Sequence, residues 1–307
     1  MYTLSFRAMN TEVLLALEAL DGAEAGLYAA ENFIQVSERR FSRFLPESEL
    51  SLLNASAGNW REISLDLLDI LLLTRHYHQQ TQGLFDPSIL PDLKRAGYDQ
   101  SMERIRGQEI GAPASPRLAR PAFAELEIDI SARRVRLPRG MELDLGGIAK
   151  AWIIQHAAQL LSGYGPACAV SAGGDMRFIG LPAASCWQVE VEDPRNPAQT
   201  VAHFQLGPGA VATSSITKRR WQQAGQPRHH IIDPRSGEPA RAEWLSATVL
   251  APSLFDAEIY AKVLLIGGAE QAARLPAGLA FLTVDENGAL NGLRYEEYFN
   301  EFNFARQ

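Results

Sequence analysis

Apolar and polar positions alternate in part along residues 4–17, which predicts an edge or hairpin strand. From Asp21 to about Arg40 the period lengthens: Leu27, Ala30, Phe33 and Ile34 recur near helical spacing. Ser64 is suited to cap a leucine-rich helix that stops near Gly83. Glu127–Ile130 and Arg134–Leu137 flank a short polar turn and predict a hairpin, and Gly147–Leu161 is helical in period and ends at Gly163. Further on, Trp187–Val191, Val201–Leu206 and Leu245–Leu250 alternate as strands, and Asp256–Ile266 predicts a helix before Gly267-Gly268. Ala280–Val284 and Leu290–Tyr295 flank a turn containing Asn287-Gly288. Residues 107–122, rich in Pro and Gly, predict a surface loop or insertion. The whole is α+β with several antiparallel pairs. It lacks a regular βαβ array, a GxGxxG turn and a GxxxxGK[ST] loop, so neither a Rossmann domain nor a P-loop NTPase is supported.

Composition narrows the class without changing this picture. At about 150 residues per domain, 307 residues make two domains or one large one. Hydrophobic residues at 46% and charged residues at 21% fit a globular chain and exclude a disordered one. Against 36 acidic residues stand 29 Lys+Arg, a net charge of −7, so the chain lacks the basic footprint of a general nucleic-acid binder, while a local basic pocket for a phosphate stays open. Cys168 and Cys186 form no metal or disulfide pattern, and Cys168, inside the apolar run Ala167–Val170, predicts a buried structural thiol. The first residues lack a basic region followed by a clean apolar stretch, Glu12 interrupting them. The expectation is no signal peptide, lipid anchor or membrane span, and a cytoplasmic protein.

Candidate chemistry sits where elements begin or end. Asp144-Leu-Gly-Gly-Ile-Ala-Lys150 enters a helix; Asp144 can cap it, the glycines let an anion approach its amides, and Lys150 can neutralise a phosphate. The same residues also read as a capped helix with a solvated lysine. Ala172-Gly-Gly-Asp175 follows an apolar strand; Asp175 can accept from a ribose or base, or the segment is a tight turn with an Asx hydrogen bond. Thr213-Ser-Ser215 and His229-His230 bracket Lys218-Arg-Arg220, a stretch expected to be a solvated face. Hydroxyls and imidazoles suit oxyanion contact and proton transfer. On a strand only one of the two histidines faces a given site. Phe85-Asp86-Pro87 follows a helix end, where Asp86 can bond a ligand amide or start an ordinary turn.

Taken in order, these segments resemble the ApbE family, the FAD:protein FMN transferases, along nearly the whole chain. The matching stretches are Phe6-Arg-Ala-Met-Asn-Thr11, Phe41-Ser-Arg-Phe-Leu-Pro-Glu-Ser-Glu-Leu50 with Leu53-Asn54, Gly83-Leu-Phe-Asp-Pro87, Leu143-Asp-Leu-Gly-Gly-Ile-Ala-Lys150, Ala172-Gly-Gly-Asp175, Ala212-Thr-Ser214, and His229-His-Ile-Ile-Asp-Pro234 with Gly237. The resemblance implies an α+β scaffold related to the tunnelling fold, one domain over 1–307 with two possible subdomains, and FAD and Mg²⁺ at the site. It implies transfer of FMN as a phosphoester to a threonine of a redox partner protein, with some members hydrolysing FAD to FMN and AMP instead. FAD contacts are then expected at Met9, Phe44, Leu84, Phe85, Asp86, Asp144, Lys150, Gly173, Gly174, Asp175, Thr213 and His230, with Met9 and Phe44 packing on the flavin or adenine. His230 is the expected base or phosphate contact. The metal contacts are expected at the Gly147 carbonyl and Glu258.

The sequence departs from the family pattern at Asn10, Ala151 and Ser215, each where the family has glycine. The larger departure lies in the last helix. The family's Ala-Asp-x-x-x-Thr, whose Asp and Thr bind the metal, falls on Glu258 and Lys262; an offset by two would use Asp256 and Tyr260, but it misplaces the following glycine. Glu258 and Lys262 are four apart, so they read either as an exposed helical ion pair worth about 0.3–0.5 kcal/mol or as a site in which the Lys262 ammonium takes part of the metal's place. The second reading leaves FAD binding intact and alters metal-dependent turnover. It keeps an FAD-binding protein or an FAD diphosphatase as alternatives to the transferase.

Overall fold

The structure is a computed structural model, and it describes residues 1–113 and 116–293. The chain divides into two compact units: Met1–Val36, Lys150–Lys218 and Ala242 onward form the first, and Ser37–Ala149 with Arg219–Arg241 the second.

The first unit is built on an eight-stranded sheet, in the order Tyr2–Ala8, Thr11–Glu18, Ala167–Ala172, Asp175–Ile179, Gly209–Ser215, Ser246–Ala251, Ala280–Val284 and Leu290–Leu293. Every neighbouring pair is antiparallel. The alternation expected at residues 4–17 is a hairpin whose first strand is the sheet edge. Residues alternate between two covered faces. Ala167, Ala169, Phe178, Val211, Leu250 and Leu282 pack under the hairpin Trp187–Asp193/Asn196–Leu206, whose Trp187, Val189, Val191, Ala202, Phe204 and Leu206 point at the sheet. On the opposite face Cys168 is fully buried; its Sγ donates to the Ala158 carbonyl of the helix Ala149–Leu161 (3.3 Å), and burial pushes the thiol up to about 11. The helix Ala23–Phe41 begins in this unit, and its Phe33 ring meets Trp152 at 6.0 Å.

The last helix runs Leu254–Ala273, starting earlier and ending later than Asp256–Ile266. Ser253 caps it by accepting from the Phe255 amide (3.2 Å), and it is interrupted at Gly268, whose φ is 59°. Val263, Leu264 and Leu265 are buried in it, as core. The strand expected to reach Tyr295 is described only as Leu290–Leu293; Arg294 and Tyr295 lie outside the described residues.

The second unit combines one long helix with short strands and turns. The Ser64-capped helix is Leu65–Gln80, the cap accepting from the Leu67 amide at 3.1 Å. Strands Trp60–Glu62, Arg134–Arg136 and Glu127–Asp129 form one small sheet, with the expected hairpin as two of its strands. The core gathers Leu90, Leu93, Tyr98, Met102, Ile105, Trp221 and Ile232. Residues 107–122 are not wholly a surface loop: Glu109–Ile110 pairs with Gln222-Gln223 as a short strand, and Arg120 is half-buried.

Candidate functional site

Candidate residues fall in both units. In the first, they gather at one end of the sheet because of two adjacent hairpin turns. Ala172 pairs with Asp175, leaving Gly173 and Gly174 as a two-residue loop with φ of 59° and 98°, the positive pair that a primed hairpin turn demands. A Cβ on Gly173 would lie 2.7 Å from Thr11 Oγ1. Ala8 pairs with Thr11 in the same way, so Met9 and Asn10 form the neighbouring turn, with φ of 52° and 61°. Asn10 tolerates this conformation where the family has glycine, whereas Met9 holds it under strain.

Asp175 opens its strand on the face that carries Cys168, and it is fully buried. The Lys150 ammonium lies against its Oδ2, and its Oδ1 accepts no hydrogen bond from the described residues. Lys150 sits in the first turn of Ala149–Leu161, so this helix start and this strand start are tied by one ion pair. On the last helix Lys262 bonds Glu258. The pair is not the exposed one that its spacing allowed: the Glu258 side chain is 3% exposed and that of Lys262 18%. The four groups feel each other. Burial and the Glu258 carboxylate push Asp175 up to about 6, against the pull of Lys150 and Lys262. Thr213 lies beside Gly174, but it shares the face of Val211, opposite Asp175, and its hydroxyl bonds that of Thr248 at 2.9 Å.

A divalent cation does not fit these groups. Glu258 already carries an ammonium, so an ion placed on it would sit against a like charge in a buried setting. Among the described residues no three His, Cys, Asp or Glu side chains gather closely enough to hold a metal. Mg²⁺ demands near-octahedral oxygen ligands.

In the second unit Asp86 and Asp144 are joined by backbone: the Asp144 amide donates to the Pro87 carbonyl at 2.8 Å. Asn54 fixes the approach, its side chain accepting from the Leu143 amide (2.8 Å) and donating to the Leu143 carbonyl (2.9 Å). Asp144 does not cap the helix that follows, which starts at Ala149. Its Oδ1 accepts from the Gly146 amide (2.6 Å) and its Oδ2 meets Arg43 Nε (2.7 Å). The half-buried Gly147 follows in the same turn. The Arg43 guanidinium lies over the rings of Phe44 (4.1 Å) and Tyr98 (4.6 Å), and Tyr98 stacks on Trp221. Phe44, 36% exposed, ends this column at solvent. Burial pushes the Tyr98 phenol up, against the pull of Arg219 and Arg43.

Asp86 caps the 3₁₀ turn Pro87–Ile89, accepting from the Ser88 amide (2.8 Å) and hydroxyl (2.6 Å), and it pairs with Arg120 at 2.8 Å. Asp92 takes Arg117 through two nitrogens, at 2.9 and 3.0 Å, and Arg120 at 3.3 Å. Asp86, Arg117 and Arg120 border a cleft of about 570 Å³ lined also by His78, Gln82 and Arg235. Leu84 and Phe85 are buried, and Phe85 offers its carbonyl to His78 Nδ1 (3.0 Å). His229 closes the strand Gln226–His229, and its Nε2 donates to the Ala240 carbonyl (3.1 Å); burial lowers the ring to about 4, so it stays neutral. His230, the next residue, is half-buried and has partners of its own. Sequence reasoning missed Arg43 as the Asp144 partner, Asp92, Tyr98 and the two arginines of the proline-rich segment; only the Arg-x-x-Arg spacing of Arg117 and Arg120 hinted at a paired role.

Comparison with known proteins defines the class. The family model described as "ApbE family" matches residues 9–281. The FAD:protein FMN transferase of Treponema pallidum is 27% identical over 277 residues, spanning 82% of this chain and 74% of that protein. That of Rhodobacter capsulatus is 30% identical over 251 residues, spanning 79% of this chain but 47% of its own length. Among solved structures, the ApbE protein of Thermotoga maritima superposes with a TM-score of 0.85 at 24% identity, covering 98% of this chain and 99% of that one. The apo flavinyl transferase ApbE of Pseudomonas stutzeri gives 0.81 at 19%, covering 98% and 97%. At these identities the structures speak for the fold. The chain belongs to the ApbE family.

Proposed function

We infer that this chain is an FAD:protein FMN transferase, moving the FMN half of FAD to a protein acceptor with release of AMP. Family membership supports the reaction class, and the single observation that carries it into this chain is the ammonium of Lys150 fixed on the fully buried Asp175 at a helix start. A diphosphate is cleaved by placing cationic groups where charge develops and by aligning the nucleophile. Lys150 supplies such a group, with helix amides behind it.

The acceptor we propose is a threonine hydroxyl of a redox partner. Its oxygen bonds to the riboflavin-side phosphorus while the bond from that phosphorus to the bridging oxygen breaks, the electron pair leaving on AMP. His230 is the proposed base for the hydroxyl proton, or a phosphate contact. Met9 and the exposed ring of Phe44 are the proposed flavin or adenine contacts, with Leu84, Phe85, Asp86, Asp144, Gly173, Gly174, Asp175 and Thr213 as the further FAD-binding positions. Asp144 and Asp86 can serve only in part through their carboxylates, which Arg43 and Arg120 hold. Mg²⁺, with Gly147 and Glu258 as contacts, is what the family resemblance carries; because Lys262 occupies Glu258, no step is assigned to it. Among the described residues no helix is long and apolar enough to cross a membrane, and we place the reaction in the cytoplasm.

The reading is tested by incubating the protein with FAD, with and without a threonine-bearing acceptor, and separating the nucleotides. The expected result is AMP release that depends on the acceptor. Free FMN with AMP in its absence would make the chain a diphosphatase, and unchanged FAD would make it a binding protein.

A further inference from the structure

Building on the transfer reading above, we propose that this chain meets the diphosphate charge with the ammonium groups of Lys150 and Lys262, so that transfer runs without a divalent cation. The two lysines and two carboxylates form one cluster on the helix-covered face of the sheet in the first unit. Their formal charges cancel, so the cluster is balanced as it stands and has no negative excess for a cation to neutralise. The carboxylate side chains are 0% and 3% exposed, the lysine side chains 16% and 18%. The lysines are thus the outward members of both pairs, and an anion arriving from solvent meets ammonium before carboxylate. An ammonium has three donors on a flexible stem. It can keep one bond to its carboxylate, which holds it protonated, and turn another to a phosphate oxygen.

A divalent ion would serve the same end by a different route, and here the route is closed. The oxygen that Glu258 would offer already holds Lys262, and among the described residues no three His, Cys, Asp or Glu side chains gather to hold an ion. As the threonine oxygen bonds to phosphorus and the bridging oxygen departs with AMP, the negative charge that grows on these oxygens falls to the two lysines. The hydroxyl proton passes to the base, and nothing is oxidised or reduced.

The test uses the full chain, stripped of metal with EDTA, with FAD and a threonine-bearing acceptor. Transfer by the unaltered protein is expected to change by less than about twofold when Mg²⁺ replaces EDTA. Lys262→Thr, which restores a hydroxyl ligand beside Glu258, is expected to lose about tenfold or more in EDTA and to recover with Mg²⁺. A readout independent of activity is the electron paramagnetic resonance of Mn²⁺ titrated into protein plus FAD, against FAD alone. The unaltered protein should leave the Mn²⁺ signal as FAD alone does, and it decides the question even where the variant fails to fold. Transfer that requires Mg²⁺, or one Mn²⁺ taken up per chain, overturns the proposal. Absence of transfer under every condition counts against the transfer reading instead, while the Mn²⁺ titration still settles the cation.

Discussion

Asp175 in the first unit and Asp92 in the second are both withdrawn from water, at 0% and 3% exposure, yet they are held by different cations. Asp92 is gripped by the two-nitrogen fork of Arg117, with Arg120 reaching it from the side and bonding Asp86 as well. A guanidinium fork that matches a carboxylate in two bonds fixes direction and leaves little freedom. Asp175 instead meets a single ammonium, keeps Oδ1 unbonded, and is pushed up by burial and by Glu258. The supporting chain differs to match. The arginine network ties a proline-rich segment to short helices; the lysine cluster stands at the end of a sheet whose turns leave no slack. The arginine pairs hold loops in place, and the lysine pairs hold charge in readiness.

The contrast breaks most sharply at Lys150. Lys150→Met leaves Asp175 buried without its partner and removes a cation from the diphosphate. We expect transfer to fall by about 10²–10³-fold and stability by about 3 kcal/mol, read from single-turnover rates and a denaturant midpoint. If the lysine pair were only structural, stability would fall while the rate per folded molecule held. At Asp92 the opposite division is expected. Asp92→Ala should cost about 2–3 kcal/mol by freeing Arg117, which is part-exposed and can rehydrate, while Arg120 keeps Asp86, and should expose residues 116–123 to protease. Once FAD is saturating, the rate of the folded fraction should change little.

Smaller effects probe the turns and the buried imidazole. Gly173→Ala forces a Cβ into a positive-φ position and against Thr11, and should lower the thermal midpoint by the equivalent of about 1–2 kcal/mol. Gly140, also at positive φ but with open space around it, should tolerate alanine better. His229 is held neutral, down to about 4, so between that value and its ordinary value near 6.5 the unfolded chain binds a proton that the folded chain refuses. Stability should therefore rise with pH across that window and be lost on acidification, by about 2 kcal/mol near pH 5. In His229→Gln the slope should flatten; an unchanged slope would assign it to other groups.

Much of this was legible in order along the chain. The alternation at Trp187–Val191 matches a strand with Trp187, Val189 and Val191 inward, and Gly173-Gly174 reads as a tight turn open to positive φ, which the structure resolves into a primed hairpin turn. What stayed hidden was distance. Lys150 and Asp175 are 25 positions apart, as are Asp92 and Arg117, and no local rule pairs them. The spacing of Glu258 and Lys262 gave their contact but not their burial, which depends on the strands packed beneath the helix. Residues 107–122 read as a loop because Pro and Gly dominate them, and the weight of Arg117 and Arg120 emerges only when Asp86 and Asp92 are placed beside them. Met9 carried no signal of its left-handed backbone, because the pairing of Ala8 with Thr11 imposes it.

The most direct measurement is the intact mass of a threonine-bearing acceptor protein after incubation with this chain and FAD, beside the same acceptor with that threonine changed to alanine. A gain of one FMN less water on the threonine form alone is the predicted result. An unmodified acceptor alongside FAD that is bound but whole, or a gain on both forms, would contradict it.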